Sequence, residues 1–132
     1  MYDGSSDRSR DAADPRIDPT RANSTRFWND LSGGKDHLWV DRELVGSILE
    51  IAPEFRDVAT VSQQFLTRAC QCLVDTCGIN QFLHCGPGRP VGRPFHDLVQ
   101  RYRRSADDPV VRVLYVEHDP AALASPIVVG PD

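Results

Sequence analysis

The stretch from Ile79 to Gly92, Ile-Asn-Gln-Phe-Leu-His-Cys-Gly-Pro-Gly-Arg-Pro-Val-Gly, constrains this chain more than any other. A short apolar run (Ile79, Phe82, Leu83) enters a turn built on Gly86, Gly88 and Gly92, and helical spacing begins at Phe95. With strand, glycine turn and helix in that order, open parallel sheets bring backbone N–H groups up to a nucleotide-like ligand. From Val110 to Val116 the run Val-Val-Arg-Val-Leu-Tyr-Val is almost continuously apolar and β-branched, the pattern of a strand buried on both faces. Two such strands around one helix (Phe95 to Arg104, with Phe95, Leu98, Val99 and Tyr102 inward) predict a right-handed βαβ unit with a parallel pair. The fold class is therefore α/β.

Helices precede this unit. Thr20 to Leu31 reads as a short helix with Phe27, Trp28 and Leu31 on its apolar side, ended by Ser32-Gly33-Gly34. Asp41 to Ala52 carries Leu44, Val45, Ile48 and Leu49 on one stripe and stops at Pro53. A longer helix, capped by Asp57 and running to Cys77, places Val58, Val61, Phe65, Leu66, Ala69 and Leu73 near a 3.6-residue period, with Gly78 as its C-terminal cap. Residues 1–19 hold five aspartates among Ser, Gly, Arg and Pro, and with so little to bury they predict a disordered tail. At the other end Ala121 begins a helical pattern that Pro126 interrupts, leaving residues 126–132 irregular. One βαβ unit leaves strand edges unpaired. The pattern thus predicts a fold cut off midway and open to self-association along the exposed sheet edge.

Composition removes several function classes. A chain of 132 residues predicts one domain, here residues 20–125, large enough to bury a core. The N-terminus lacks the charged start and apolar centre of a signal peptide, and no apolar run is long enough to span a bilayer, so a cytoplasmic protein without a membrane partner is expected. A net charge of −4 argues against gripping nucleic acid. The one basic cluster, Arg101, Arg103 and Arg104, fits a helix C-terminus. Cys70, Cys72, Cys77 and Cys85 form no C-x-x-C pair, so buried reduced thiols are expected in place of a metal site.

Chemistry concentrates at the glycine turn and at Glu117. An acid at the end of the second strand, one crossover after such a turn, is placed to accept hydrogen bonds from ribose hydroxyls. Lys35-Asp36-His37 puts three ionisable side chains at a glycine turn, which composition alone reads as a polar loop. His84 and Cys85 are neighbours on a strand and point to opposite faces, so they do not form a nucleophile–base pair.

Several blocks in order resemble the S-adenosylmethionine-dependent methyltransferase family common in actinobacteria, long classed as a domain of unknown function. They are Leu31-Ser32-Gly33-Gly34-Lys35-Asp36-His37 with Asp41-Arg42, Gln64-Phe65-Leu66-Thr67-Arg68-Ala69, and Gln81-Phe82-Leu83 with Gly86-x-Gly88-x-Pro90. His96-Asp97-Leu98-Val99-Gln100 and Val113-Leu114-Tyr115-Val116-Glu117-His118-Asp119-Pro120 complete the set. The resemblance implies a partial Rossmann-like methyltransferase fold and S-adenosylmethionine as cofactor, lying over Gly86 and Gly88 with Glu117 on its ribose. Gly34, Lys35 and Asp36 would then lie near the cofactor or an unidentified methyl acceptor. No catalytic residue follows from the sequence.

The departures from the family pattern are specific. His84 stands where an acid usually organises the methionine end of the cofactor, Cys85 replaces an aliphatic residue, and Pro87 removes an N–H donor between the glycines. Ser62 takes the place of a helix asparagine, and Gln100 to Glu117 is a few residues longer than usual. The family also continues past the second strand with further strands and a substrate-facing half. The expectation is a methyltransferase portion with little or no activity alone, the alternative being a non-catalytic remnant or interaction module that needs a partner to complete its sheet.

Overall fold

The computed structural model describes residues 15–124. The C-terminal segment 126–132 and most of the N-terminal tail lie outside that range. Helix α1 (Ser24–Leu31) starts four residues later than the periodicity suggested, because Asn23 caps it, its side chain accepting from the Arg26 N–H at 3.1 Å. Gly33, in the left-handed region at φ 80°, turns the chain out of the helix. Helix α2 (Trp39–Ile51) starts at Leu38, whose N–H donates to Asp41 Oδ2 at 2.8 Å, the carboxylate half of a capping box. Helix α3 (Phe55–Gln71) begins two residues ahead of Asp57, which sits in its first turn and does not cap it. It continues as one wider π-helical turn, Cys72–Thr76, before Gly78 redirects the chain at φ 68°.

Strands β1 (Gln81–Cys85) and β2 (Arg112–Val116) pair in parallel, with Leu83 opposite Leu114 and His84 opposite Tyr115. Between them α4 (Phe95–Gln100) is shorter than expected, and α5 (Pro120–Leu123) follows β2 with Asp119 as its cap. The class is α/β, with helices preceding one parallel βαβ unit. Two apolar clusters hold it: Phe27, Leu31, Val45 and Ala59 join α1, α2 and α3, while Cys70, Val74, Val99 and Val111 lie under the sheet with Phe82, Phe95 and Val113.

Three sequence expectations fail for one reason, that neighbours and not composition decide which face is covered. On α3 the buried positions are Ala59 and Cys70, with Leu66 partly buried, while Val58, Val61, Phe65 and Leu73 are exposed. Small side chains let the helix approach its neighbours, and the larger stripe is left outside. Strand β2 is covered on one face only: Val113 and Tyr115 are half-buried, whereas Leu114 (65% exposed) and its partner Leu83 (62%) form an open apolar face with Val116. Of the four free cysteines only Cys70 is buried; Cys72, Cys77 and Cys85 are exposed. No helix among the described residues is long and apolar enough to cross a membrane.

Candidate functional site

The site is assembled by buried polar bonds that join segments far apart in sequence. Asp41 is fully buried and takes three donors: Arg26 Nε at 2.7 Å, the Asn23 N–H at 3.0 Å and the Leu38 N–H at 2.8 Å. Burial alone would raise its pKa, but the guanidinium and the two N–H groups outweigh burial and hold the carboxyl below its ordinary value. Asp119, at the end of β2, reaches the start of α1: its Oδ2 accepts from Thr25 Oγ1 at 2.5 Å and Asn23 Nδ2 at 3.0 Å. Its Oδ1 caps α5 through the Ala121 N–H at 2.9 Å. Here too burial is opposed and outweighed, first by Thr25, and the pKa is lowered. The two aspartates fix α1 against α2 and against the sheet end.

Between α1, α3 and the glycine turn lies a cavity of about 470 Å³. Ser24, Thr25, Trp28 and Ser32 form one wall, Ala59, Ser62 and Gln63 a second, and residues 86–91 the third. The volume is in the usual range for a small-molecule or cofactor site, roughly 300–1,000 Å³. Gly86 (φ 61°) and Gly88 (φ 63°) both occupy the left-handed region, which is why the turn needs glycine. A Cβ on Gly86 would project into open space, so the strain there is conformational and not steric.

The turn's N–H groups are already engaged. The Gly86 N–H donates to the Val116 carbonyl at 2.8 Å, Pro87 has none, and the Gly88 N–H donates to Glu117 Oε2 at 3.0 Å. Glu117 Oε1 accepts two further bonds, from the N–H groups of His118 (2.8 Å) and Asp119 (2.9 Å). The Asp119 N–H is the main cause of its lowered pKa, aided by Gly88 and His118 against a smaller cost of burial. A carboxylate oxygen offers two lone-pair positions. Oε1 is filled and Oε2 takes the Gly88 N–H, and only 6% of the Glu117 side chain is exposed, so in this shape the carboxylate serves the turn.

The seven residues singled out in the sequence separate into three groups. Gly86 and Gly88 line the cavity, and Glu117 bonds the turn without lining it. Asp36 is brought to the turn by Arg89, whose Nη1 lies 3.5 Å from Asp36 Oδ1 while its Nε donates to the Ala121 carbonyl at 2.7 Å. Gly34 supports that loop: a Cβ there would meet the Asn29 carboxamide at 2.4 Å, and Asn29 Oδ1 accepts from the Asp36 N–H at 2.8 Å. Lys35 is exposed and outside the cavity wall. His84 also stands apart, its ring centroid 4.5 Å from that of Phe95 and 5.7 Å from that of Tyr115. Burial holds its pKa below the usual histidine value, and its Nδ1 is buried without a partner among the described residues.

Arg89, Asp119, Trp28 and Gln63 are site residues that sequence reasoning passed over. Only Asp119 carries a local signal, an acid directly before a proline at the first turn of a helix. Among the described residues no cluster of three or more His, Cys, Asp or Glu is placed to hold a metal ion.

A glycine turn after one strand, an acid after its parallel neighbour and a cavity over that turn are the elements that α/β proteins use at nucleotide-type sites. The chain belongs to the S-adenosyl methyltransferase family, whose sequence model matches residues 10–127. It is similar to the crystal structure of a protein described as a putative methyltransferase from Thermobifida fusca, with 31% identity and a TM-score of 0.73 over 83% of this chain. It is also similar to a DUF574 family protein from Streptomyces avermitilis, with 30% identity and a TM-score of 0.69 over 77% of this chain. The matched region spans 39% and 37% of those two chains. No match was found among functionally curated proteins.

Proposed function

We propose that this chain is the cofactor-binding portion of a methyltransferase that moves a methyl group from S-adenosylmethionine to an acceptor. The observation that carries this reading is the cavity over Gly86 and Gly88 in a chain of this family. When bound, S-adenosylmethionine supplies a methyl group on a positively charged sulfur, which a nucleophile displaces in line. This chain's residues bind and position. The flat glycine turn allows close approach, Glu117 holds that turn beside the cavity through the Gly88 N–H, and Arg89 ties the turn to Asp36. Methyl transfer draws its rate mainly from such positioning. Among the described residues no His, Asp, Glu or Lys lines the cavity, so these walls supply binding and positioning and no general base. A cytoplasmic setting is part of the same proposal.

A second reading, a non-catalytic module, draws on two observations. Among the described residues no carboxylate lines the cavity to meet the ammonium group of the methionine end, and His84 packs among aromatic rings. The Leu83–Leu114 face and the strand edges, both uncovered among the described residues, also favour self-association or a partner that completes the sheet. Calorimetric titration of the 132-residue chain with S-adenosylmethionine separates the two. Micromolar binding, weakened about tenfold or more by Gly88→Val, supports the methyltransferase reading. Absence of heat from a well-folded chain defeats it in favour of the module.

A further inference from the structure

Among the described residues Trp28 is the one aromatic side chain in the cavity wall, and 43% of the residue is exposed. Its ring is held by two others. Phe27 meets it edge-on with centroids 5.5 Å apart, and Phe55 lies 6.1 Å away with the planes inclined at 33°. A ring fixed in this way keeps an apolar surface in a cleft without losing further rotamer freedom when a ligand arrives. Across the cleft the turn offers no N–H from residues 86–88, because Gly86 and Gly88 are already bonded and Pro87 has none. Contact with the turn at residues 86–88 therefore rests on flat packing. The side chains of Ser24, Ser32, Ser62 and Gln63 line the same space and engage no partner among the described residues, which leaves them for the polar edge of whatever lies flat.

We propose that Trp28 is the stacking platform for the adenine ring of the bound cofactor, with the glycine turn as the opposite wall. This rests on the reading that the cavity takes S-adenosylmethionine. The cationic sulfonium is the competing partner for an aromatic face. The two differ in which ligands feel the ring: adenine is common to S-adenosylmethionine, S-adenosylhomocysteine and adenosine, whereas only the first carries the charge.

The test titrates all three ligands into the wild-type chain and into Trp28→Phe and Trp28→Leu, by calorimetry and by tryptophan emission in a Trp39→Phe background. Trp28 emission should be quenched by each ligand. Trp28→Leu should weaken all three by a similar factor, about tenfold or more, as expected for loss of one base–aromatic stack. Trp28→Phe should retain most of the affinity. Unchanged binding by a folded Trp28→Leu chain, or unquenched Trp28 emission at saturating adenosine, overturns the assignment while leaving the cofactor reading intact. Loss confined to S-adenosylmethionine moves the ring to the sulfonium and overturns it as well. A wild-type chain that binds none of the three overturns both.

Discussion

The two ends of the molecule are held together by different means. Around α1 and α2 the buried polar groups answer one another: Asp41 takes Arg26, Asn23 and Leu38, and Asn29 holds the loop at Asp36. The βαβ unit relies on apolar packing under one face of a two-stranded sheet, with Val99 fully buried at its centre and Leu83 and Leu114 bare on the other side. The first region is closed by its own residues. The second carries a strand whose sequence suits cover on both faces, and within the described residues it has cover on one. The cavity lies where the two meet, with walls from α1 and α3 on one side and the glycine turn on the other, and Asp119 and Arg89 cross between them.

The contrast breaks most sharply at Asp41. Asp41→Ala leaves the Arg26 guanidinium buried without its partner, and urea denaturation should show a loss of about 3–5 kcal/mol, enough to unfold a small domain. Gly34→Ala should cost less, about 1–3 kcal/mol, because the Asn29 carboxamide has to yield to the new methyl group. Gly46→Ala, at a helix position with open space around it, should be neutral or slightly stabilising in the same assay.

Acid separates the two regions further. His84 has a folded pKa below its ordinary value, so the unfolded chain binds its proton first as pH falls. Stability should decline from about pH 6.5 downward, by no more than about 1.4 kcal/mol per pH unit from this group. Asp41, Glu117 and Asp119 have lowered pKa values, so their contribution is present above the ordinary carboxylate range and is lost as pH falls below about 4. Thermal melts of His84→Leu against wild type should therefore diverge as pH falls below about 6.5. The smallest effect on stability belongs to the bare face. Leu114→Ser should change it by no more than about 0.5 kcal/mol. The same substitution should reduce any self-association seen by sedimentation, and an unchanged association would place the contact elsewhere.

Much of this organisation was legible in the sequence, and the failures share a cause. Helix and strand order follows from periodicity and from Gly33, Gly78 and the 86–92 turn, all local features. The buried face of α3 does not, because Val58, Val61 and Phe65 are more apolar than Ala59 and Cys70, while close packing at the helix contact favours the small side chains. At the site the nearness of Glu117 to the Gly86–Gly88 turn was legible, because it follows from spacing along a βαβ unit. The Thr25–Asp119 bond joins residues 94 apart, and no local pattern announces it. The engagement of the Gly86 and Gly88 N–H groups was equally hidden, since it depends on which carbonyl and carboxylate β2 and its end bring alongside.

The account's central claim is that ligand binding occurs on the seam between the two regions. Amide and indole chemical-shift mapping of the 132-residue chain with S-adenosylmethionine tests this most directly. The account predicts shifts at Gly86, Gly88, Gln63 and the Trp28 indole N–H, with Leu83 and Leu114 undisturbed. Shifts centred on the Leu83–Leu114 face, or none at saturating ligand, would contradict it.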